Sequence, residues 1–419
     1  MTKGIDHKKF KYVEELGYEI PEEWGVDKID SLKVSMYYGI TAKTTREDTK
    51  MRFLRVTDIH NFDFNPKELP FCIITEKRSN LSKYYLKKND IVVARAGTIG
   101  ISVLVKEDLN DTLYGSYLIK ITFNQEKLNP IFIHYYFQSR YYWSNFSRSQ
   151  GSTIKNITLK FLNSIAVPLP PLDEQRKIAE ILSDIDMAIQ KTDELIATTQ
   201  KLKNGLMQTL LTKGIGHTKF KMTEIGEIPE EWKLVTAGQI VEYSKGKNPK
   251  NITVYPTNGS APYLSTDYLR NEGNQQYAKI ADKTNFVNNG DIILLWDGSN
   301  AGEFFLGKEG ILSSTMVKLH IKLEKIDTRF LLYLFKSNEK HLRLQTKGTA
   351  IPHVDKNAFE NLYLPLPSLS EQQKIAEILS TVDKKLELER QRKEKLERIK
   401  KGLMNDLLTG KVRVKVDKK

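Results

Sequence analysis

The chain has 419 residues, which is too long for one ordinary domain and sufficient for two domains with connecting elements. No stretch approaches the roughly eighteen apolar residues that span a bilayer, which excludes a membrane protein and predicts a cytoplasmic one. The single cysteine, Cys72, excludes an internal disulfide and a cysteine-based metal cluster. The formal net charge of +13 indicates a polyanionic partner.

The first globular segment combines strand and helix patterns. It opens near His7 with HKKFKYVEELGYEIPEEW and continues to NDIVVARAG, a short β-branched run of the kind found in buried strands. From Pro130 the stretch PIFIHYYFQSRYYW predicts an amphipathic helix. The basic and aromatic stretch from Arg140 to Lys155 reads RYYWSNFSRSQGSTIK. We expect its tyrosines and Trp143 in the core and its charges at the surface.

A long helix is predicted next. Pro170 and Pro171 exclude helix before them, Asp173 suits the N-cap, and Gly214 suits the C-terminal end. Such a helix of about 39 residues is roughly 60 Å long. Apolar or small residues recur along it at heptad spacing. The first row contains Ile178, Ile185, Thr192, Thr199 and Leu206, and the second contains Ile181, Ala188, Leu195 and Leu202.

This pattern returns 197 residues later, after a second globular segment with its own strand and helix patterns. PLPPLDEQRKIAEILSDID, from Pro168, matches PLPSLSEQQKIAEILSTVD, from Pro365. In the second helix, Ser370 and Gln373 predict a capping box and Gly410 predicts the end. The apolar positions of the second helix are Ile375, Val382, Leu396 and Leu403 in one row and Ile378 and Ile399 in the other, with Leu379 and Leu386 beside them.

Two long helices with the same apolar stripe are best explained by pairing with each other. The order domain, helix, domain, helix lets the second helix run back beside the first. The predicted fold class is α+β: two mixed α/β domains separated by two long helices that form an antiparallel coiled coil with pseudo-two-fold symmetry. At the matching Gly205 and Gly402, we expect close helix approach. The residues expected in helix pairing or partner docking are Ile178, Ile181, Ile185, Leu195, Leu202, Leu206, Ile375, Ile378, Val382, Leu396 and Leu403.

The positive charge lies mainly in the globular segments. The two helices together are neutral and the tail from Lys411 carries +4, which leaves about +9 for the globular segments. This surplus suits phosphate contacts, whereas high solubility is the plain alternative. Basic residues on glycine-bearing loops can also hydrogen-bond to base edges. The candidates for DNA contact are Arg95, Arg140, Arg148, Lys155, Lys245, Lys247, Arg270, Lys347 and His353.

Catalytic motifs are poorly represented. GEFFLGKE, from Gly302, has the glycine and lysine spacing of a phosphate-binding loop, but Glu309 replaces the metal-binding hydroxyl residue. No Gly-x-Gly-x-x-Gly follows a strand, no amino-methyltransferase motif is present, and the histidines form no metal-spaced pair. The sequence therefore predicts a non-catalytic chain without a metal site or bound cofactor.

The repeated helix starts, with KNGLMQTLLTKG and KKGLMNDLLTGK after them, resemble the conserved helical regions of the specificity subunit of type I restriction-modification enzymes. GSTIKN and GTAIPHV resemble the ends of that family's target recognition domains. The resemblance covers essentially the whole chain. It implies target recognition domains at 1–167 and 214–364, conserved helical regions at 168–213 and 365–411, and a basic tail at 412–419.

The resemblance also implies function. Each domain would read one half of a bipartite target in double-stranded DNA, and the paired helices would set the distance between half-sites. Two methyltransferase subunits would dock around the helices, and restriction subunits would complete the enzyme. S-adenosylmethionine, ATP and Mg²⁺ would bind those partners and not this chain.

Two alternatives remain at this point. The chain could serve a methyltransferase alone, or a methyltransferase and nuclease fused in one polypeptide. It could also be a coiled-coil scaffold without DNA recognition, although the basic surplus of the globular segments argues against that function.

Overall fold

The computed structural model describes residues 9–74, 81–148, 156–249, 251–280, 284–348 and 351–415. The chain divides into two compact units: unit 1 comprises residues 1–192 and 392–419, and unit 2 comprises residues 193–391. Each unit therefore contains one globular head and one half of each of two long helices. In the described part of the chain, no helix is long and apolar enough to cross a membrane.

The head of unit 1 is built from short strands and helices. Its strands are β1 (Phe10–Val13), β2 (Tyr18–Pro21), β3 (Gly25–Lys28), β4 (Lys33–Tyr38), β5 (Ala42–Thr45), β6 (Arg52–Leu54), β7 (Phe71–Ile74), β8 (Ile91–Ala94), β9 (Ser102–Leu104), β10 (Thr112–Tyr114), β11 (Leu118–Phe123) and β12 (Ala166–Leu169). Its helices are α1 (Ile29–Leu32), α2 (Pro130–Gln138), α3 (Arg140–Arg148) and α4 (Leu159–Ser164).

The main antiparallel sheet of this head has the order β4-β11-β8-β9. All residues of β8 are buried, which confirms the strand predicted at NDIVVARAG. A second sheet, β10-β6-β7-β5, includes the parallel pair β10–β6. The helix predicted at Pro130 is α2, and the aromatic residues that follow it pack in or against the core, as predicted for Tyr142 and Trp143. Cys72 is also buried, which raises the pKa of its thiol.

The head of unit 2 repeats this plan. Its strands are β13 (Phe220–Thr223), β14 (Gly226–Pro229), β15 (Lys233–Thr236), β16 (Val241–Lys245), β17 (Ile252–Thr253), β18 (Ser260–Leu264), β19 (Gln276–Lys279), β20 (Phe286–Val287), β21 (Ile292–Leu295), β22 (Phe304–Leu306), β23 (Gly310–Leu312), β24 (Met316–Ile321) and β25 (Tyr363–Leu366). Its helices are α6 (Ala237–Ile240), α7 (Thr266–Leu269), α8 (Thr328–Ser337), α9 (Glu339–Leu344) and α10 (Lys356–Glu360). The sheet β16-β24-β21-β22 corresponds to β4-β11-β8-β9 of unit 1.

The long helices are α5 (Leu172–Leu210) and α11 (Leu369–Leu407), and each has the predicted 39 residues. Both begin before the residues predicted as N-caps, so Asp173 and Ser370 lie in the first turn. At the start of α11, the Ser368 hydroxyl instead accepts a hydrogen bond from the Glu371 backbone N–H at 3.4 Å. A preceding proline is compatible with this earlier start because the first N–H groups of a helix have no helical acceptor.

Both helices end a few residues before the predicted glycines. Gly214 and Gly410 have φ angles of +67° and +72°, which reverse the chain direction after the helix. The prediction that the helices approach closely at Gly205 and Gly402 is wrong. In the described part of the chain, a Cβ at either position would meet no atom within 4 Å.

A buried glutamine in the first turn attaches each helix to its own head. Gln175 Oε1 accepts a hydrogen bond from Asn129 N at 2.8 Å, and its Nε2 donates to the carbonyls of Lys127 and Pro170 at 3.1 and 2.9 Å. Gln372 makes the three equivalent bonds in unit 2. The repeated Glu-Gln pair in the sequence is therefore explained by an attachment that both units use.

The neighbouring glutamate supports the same attachment. Trp24 Nε1 donates to Glu174 at 3.2 Å, and Trp232 Nε1 donates to Glu371 at 3.0 Å. Both tryptophans are buried, so each indole N–H is satisfied by a carboxylate.

The second partner of this glutamate differs between the units. In unit 1, Arg413, which follows α11, pairs with Glu174 and lies 3.3 Å from Glu23. In unit 2, His217 Nε2 lies 2.9 Å from Glu371. Burial raises the pKa of Glu174, and the Arg413 guanidinium opposes that shift.

A repeated triad connects each head with both helices. In unit 1 the hydroxyl of Tyr135 donates to Asp186 at 2.8 Å, and Lys400 Nζ lies 2.8 Å from the same carboxylate. Glu174, at the start of α5, pairs with Arg413, which follows the end of α11. Asp186, further along α5, pairs with Lys400, which lies earlier in α11. The two helical segments of unit 1 are therefore antiparallel. The corresponding residues of unit 2 are Tyr333, Asp383 and Lys203, with distances of 2.7 and 2.6 Å.

Burial along the helices corrects the second row of the predicted stripe. Leu182, Leu379 and Leu386 are buried and lie one residue later than that row, whereas Leu202 and Ile378 are 56% and 38% exposed. The reason is that each head also covers one flank of its helices, where Ala179 and Ala376 are buried. The buried face of each helix is therefore shifted toward the head. Among the predicted first-row residues, Ile178 and Ile375 lie in the core, Thr192 and Thr199 are buried, and Ile185, Leu206, Val382, Leu396 and Leu403 are half-buried, as is Leu195 of the second row.

His134 of α2 makes unit 1 sensitive to acid. Burial, followed by the nearby Lys400 ammonium, lowers the pKa of its imidazole to about 4. The folded chain therefore keeps His134 neutral while the unfolded chain protonates it below pH 6.5. Stability should fall as the pH drops from about 6.5 to about 4, by about 3 kcal/mol from this residue.

The His134→Phe variant should accordingly lose less stability over that pH range than the native chain. Urea unfolding at a series of pH values measures the difference. His60→Gln, at an exposed position of the same unit, should keep the native slope. Equal slopes for all three chains would contradict the assignment.

Candidate nucleic-acid interface

A loop at the end of the buried central strand carries candidate residues in each head. This strand-end loop comprises residues 95–101 in unit 1, between β8 and β9, and residues 296–303 in unit 2, between β21 and β22. The first residue of each loop makes the same backbone hydrogen bond. Arg95 N donates to the carbonyl of Tyr117 at 2.8 Å, and Trp296 N donates to that of Thr315 at 2.8 Å.

In unit 1, Arg95 stacks on Tyr38. Its guanidinium carbon lies 4.5 Å from the centroid of the ring, a cation–π contact that uses the face of the guanidinium and not its N–H donors. The Tyr38 hydroxyl accepts a hydrogen bond from Leu159 N at 3.2 Å, which fixes the ring. Among the described residues, the buried Nε of Arg95 has no hydrogen-bond partner. The arrangement positions a cation with donors suited to phosphate or guanine.

In unit 2, three chain segments meet at the strand-end loop. The end of β16 reaches it through Gly246, where a Cβ would lie 2.0 Å from the carbonyl of Ser313, so only glycine fits. Gly298 N donates to the carbonyl of Pro352 at 2.8 Å. Lys347 and His353 exchange two backbone hydrogen bonds at 2.8 and 2.9 Å, which brings the third segment to the same place.

Lysine and aspartate side chains lie together at this junction. Lys245 Nζ lies 2.7 Å from Asp297 Oδ2, and Lys347 pairs with Asp355 and lowers the pKa of that carboxyl group. Lys247 and His353 are exposed beside them. With more lysines than aspartates at its surface, the junction can attract phosphate groups.

The two loops share one backbone frame, so their side chains can be compared position by position. In unit 1, Ile157 N donates to the carbonyl of Arg95 at 2.9 Å. In unit 2, Val354 N donates to the carbonyl of Trp296 at 2.9 Å. In this frame the equivalent residues are Tyr38 and Lys245, Arg95 and Trp296, Ala96 and Asp297, and Asn156 and His353.

The predicted DNA-contact residues are thus brought together in part. Lys245, Lys247, Lys347 and His353 meet at one junction in unit 2, and Arg95 occupies the matching loop of unit 1. Arg270 lies at the far end of the unit 2 loop, where Glu303 pairs with it. The remaining candidates are Arg140, Arg148 and Lys155.

Arg140 lies elsewhere in unit 1. Its guanidinium stacks on Tyr141 at 4.8 Å, and the Tyr141 hydroxyl donates to Asn405 of α11 at 2.8 Å, so Arg140 is next to the helices. Lys155 and the side chain of Arg148 lie outside the described residues. Within those residues, no cluster of three or more His, Cys, Asp or Glu side chains could hold a metal ion.

Sequence reasoning missed Tyr38 and Asp297 because neither is basic. The signal was present in the matched strands NDIVVARAG and GDIILLWDG, which align Arg95 with Trp296 and Ala96 with Asp297. Differences at the end of two matching strands mark positions where a shared backbone carries different chemistry.

A family model for the type I restriction modification DNA specificity domain matches residues 21–199 and 229–398. The chain belongs to the type I restriction-modification specificity subunits. Each matched region contains most of one head and most of the long helix that follows it. The family predicted from the repeated helix starts is therefore confirmed.

Individual relatives support this assignment. The subunit is 50% identical over 182 residues to the MjaVIII specificity subunit of Methanocaldococcus jannaschii, a match that covers 43% of each chain. It is 29% identical over 417 residues to the putative MjaX specificity subunit of the same organism, with 95% of each chain covered. The S subunit of a type I system from M. genitalium has a similar fold, with a TM-score of 0.61 at 18% identity, covering 92% of this chain and 96% of that one. The predicted fold class is thereby confirmed.

Substitution of Lys247 tests whether the unit 2 junction contacts DNA. The Lys247→Ala variant should weaken binding to all double-stranded sequences about equally and lower the slope of log affinity against log salt by about one, because one phosphate contact is lost. Fluorescence anisotropy over a salt series measures both quantities. Lys322→Ala is the matched control, since this exposed lysine follows the opposite end of β24. The interface is misplaced if Lys322→Ala alters the slope and Lys247→Ala does not.

Proposed function

We propose that this specificity subunit reads a two-part target in double-stranded DNA, one half-site with each head. The observation that carries the proposal is the shared frame of the strand-end loops with different side chains on it. A shared frame allows both heads to approach DNA in the same way, whereas different side chains at the same places can hydrogen-bond to different bases. The subunit itself would perform no chemistry.

The proposed partners supply the chemistry. Methyltransferase subunits would bind S-adenosylmethionine and methylate adenine, and restriction subunits would use ATP and Mg²⁺. We propose no cofactor for this chain.

A map of methylated adenines tests the proposal. The chain is expressed with its neighbouring methyltransferase subunit in a methylation-deficient host, and a second culture lacks the chain. We expect one two-part motif with a fixed gap, present only when the chain is present. A stable complex that adds no methylation would favour a scaffold without DNA recognition.

The length of α5, which connects the heads along the chain, should set the gap. Four extra residues near Thr199 add about one helical turn and roughly 6 Å, the length of one to two base pairs. The unspecified gap should lengthen by that amount while both half-sites stay the same. Methylation mapping of the insertion variant measures the gap. An active complex with an unchanged gap would contradict the proposal that the length of α5 sets the gap.

The helices also offer a repeated surface for the methyltransferase subunits. Leu202 in unit 2 and Ile399 in unit 1 occupy matching positions and are 56% and 40% exposed. Three residues later, on the same helix face, Gly205 and Gly402 have open space where a side chain would stand. An exposed apolar residue beside a glycine permits close approach of a partner helix. Two equal patches suit two copies of one partner.

Each patch should be necessary for one methyltransferase subunit. Because Leu202 and Ile399 are exposed, Leu202→Glu and Ile399→Glu should each remove one bound copy with little change in the melting temperature of the free chain, and the double variant should remove both. Native mass spectrometry counts the copies. Val34→Glu, at a 69% exposed position on the head of unit 1, should keep both. Full assembly of the double variant would rule out these patches.

A further inference from the structure

Some lysine–aspartate pairs occur in both heads. Asp90, just before β8, pairs with Lys120 of β11 at 3.3 Å. Asp291, just before β21, pairs with Lys318 of β24 at 2.6 Å. These equivalent pairs join the central strand to its neighbour. Because these pairs occur in both heads, they are explained by the fold that the heads share.

The pair of Lys245 and Asp297 has no equivalent of this kind. At the matching places in unit 1 stand Tyr38 and Ala96, which cannot form an ion pair. The side chains of Lys245 and Asp297 are 52% and 26% exposed, and ion pairs at the surface contribute little to stability. The fold therefore does not explain why the strand-end loop of unit 2 carries an aspartate.

The position of Asp297 is nevertheless firmly defined. Its backbone N–H donates to the carbonyl of Thr315 at 3.0 Å, and the next residue, Gly298, donates to Pro352 at 2.8 Å. Asp297 also forms a β-bridge with His353. The main chain at Asp297 is thus held by backbone hydrogen bonds to two other segments, and the Asp297 carboxylate is held by the Lys245 ammonium.

A carboxylate among lysines weakens sequence-independent attraction to phosphate. A carboxylate can instead serve binding by accepting a hydrogen bond, and in the major groove an aspartate side chain can accept one from the amino group of cytosine. The Lys245 ammonium offsets the repulsion between this carboxylate and the DNA backbone. The site therefore has the chemistry of base reading and not of phosphate binding alone.

We infer that Asp297, positioned by Lys245, is a specificity-determining residue of unit 2 that accepts a hydrogen bond from the amino group of a cytosine in one half-site. This inference rests on the proposed function, in which each head reads one half-site. Ala96 presents no acceptor at the matching place in unit 1, so the requirement for this cytosine is confined to one half of the target.

Methylation mapping with three variants tests the inference, using the full chain and its neighbouring methyltransferase subunit. Asp297→Asn should make one cytosine position of a single half-site degenerate, with discrimination there reduced roughly tenfold, while the gap and the other half-site stay unchanged. Its affinity for non-target DNA should rise, because one negative charge is lost. Ala96→Asp, which places an acid in unit 1, should alter only the other half-site.

Asp291→Asn is the matched control, since Asp291 also pairs with a lysine and is similarly exposed, at 25%. Lys318 is only 12% exposed and Asp291 also accepts a hydrogen bond from the Asn288 N–H at 2.7 Å, so this variant should lower the melting temperature and leave the motif unchanged. Asp297→Asn should alter the motif and leave the melting temperature nearly unchanged. An unchanged motif for Asp297→Asn, or a degenerate position other than cytosine, overturns the inference while the proposed function stands. Absence of any two-part motif with the native chain overturns the proposed function itself.

Discussion

The attachment of each long helix to its head depends on a buried glutamine. Burying a primary amide is unfavourable unless its donors and acceptor are satisfied, and Gln175 satisfies them with three backbone groups of the head and of the segment before the helix. The bonds fix the direction in which α5 leaves the head, and Gln372 fixes α11 in the same way. The triads of tyrosine, aspartate and lysine then align the two helices further along. Any spacing function of the helices requires that each helix leave its head in a fixed direction.

Much of the helical architecture could be predicted from the sequence, because proline, glycine and a heptad pattern act locally. The length of both helices and their antiparallel pairing followed from these signals. The second row of the stripe was misplaced by one residue. Leu182 is buried where Ile181 was expected, and Leu379, which was expected only beside the row, is buried while Ile378 is exposed. Heptad spacing does not reveal which flank a head will cover, since that contact joins residues far apart in the chain. The parallel pairing of β10 with β6 is unpredictable for the same reason.

The candidate site was predictable to the extent that it is basic. Lys245, Lys247 and His353 were named as candidates because basic residues beside glycine-bearing loops are a recognisable pattern. Tyr38 was missed because its contribution, stacking on Arg95, exists only after folding places the end of β4 one strand away from the end of β8, with β11 between them. Arg140 shows the converse: charge alone did not reveal that it would stack on a tyrosine next to α11. Composition locates a charged surface, and tertiary structure decides which cations share it.

When the two units are compared, interior residues repeat and surface residues differ. The side chains that repeat, such as Gln175 and Gln372, are 1% exposed, and replacing them would leave buried polar groups without partners. The side chains that differ on and beside the strand-end loops, such as Lys245, lie at the surface, where substitutions usually change stability by only about 0.5 kcal/mol. The loop backbone is meanwhile held by hydrogen bonds that do not depend on side-chain identity. Side chains at the loops can therefore be exchanged while the frame that presents them stays intact, which is the physical condition for two heads of one fold to recognise different sequences.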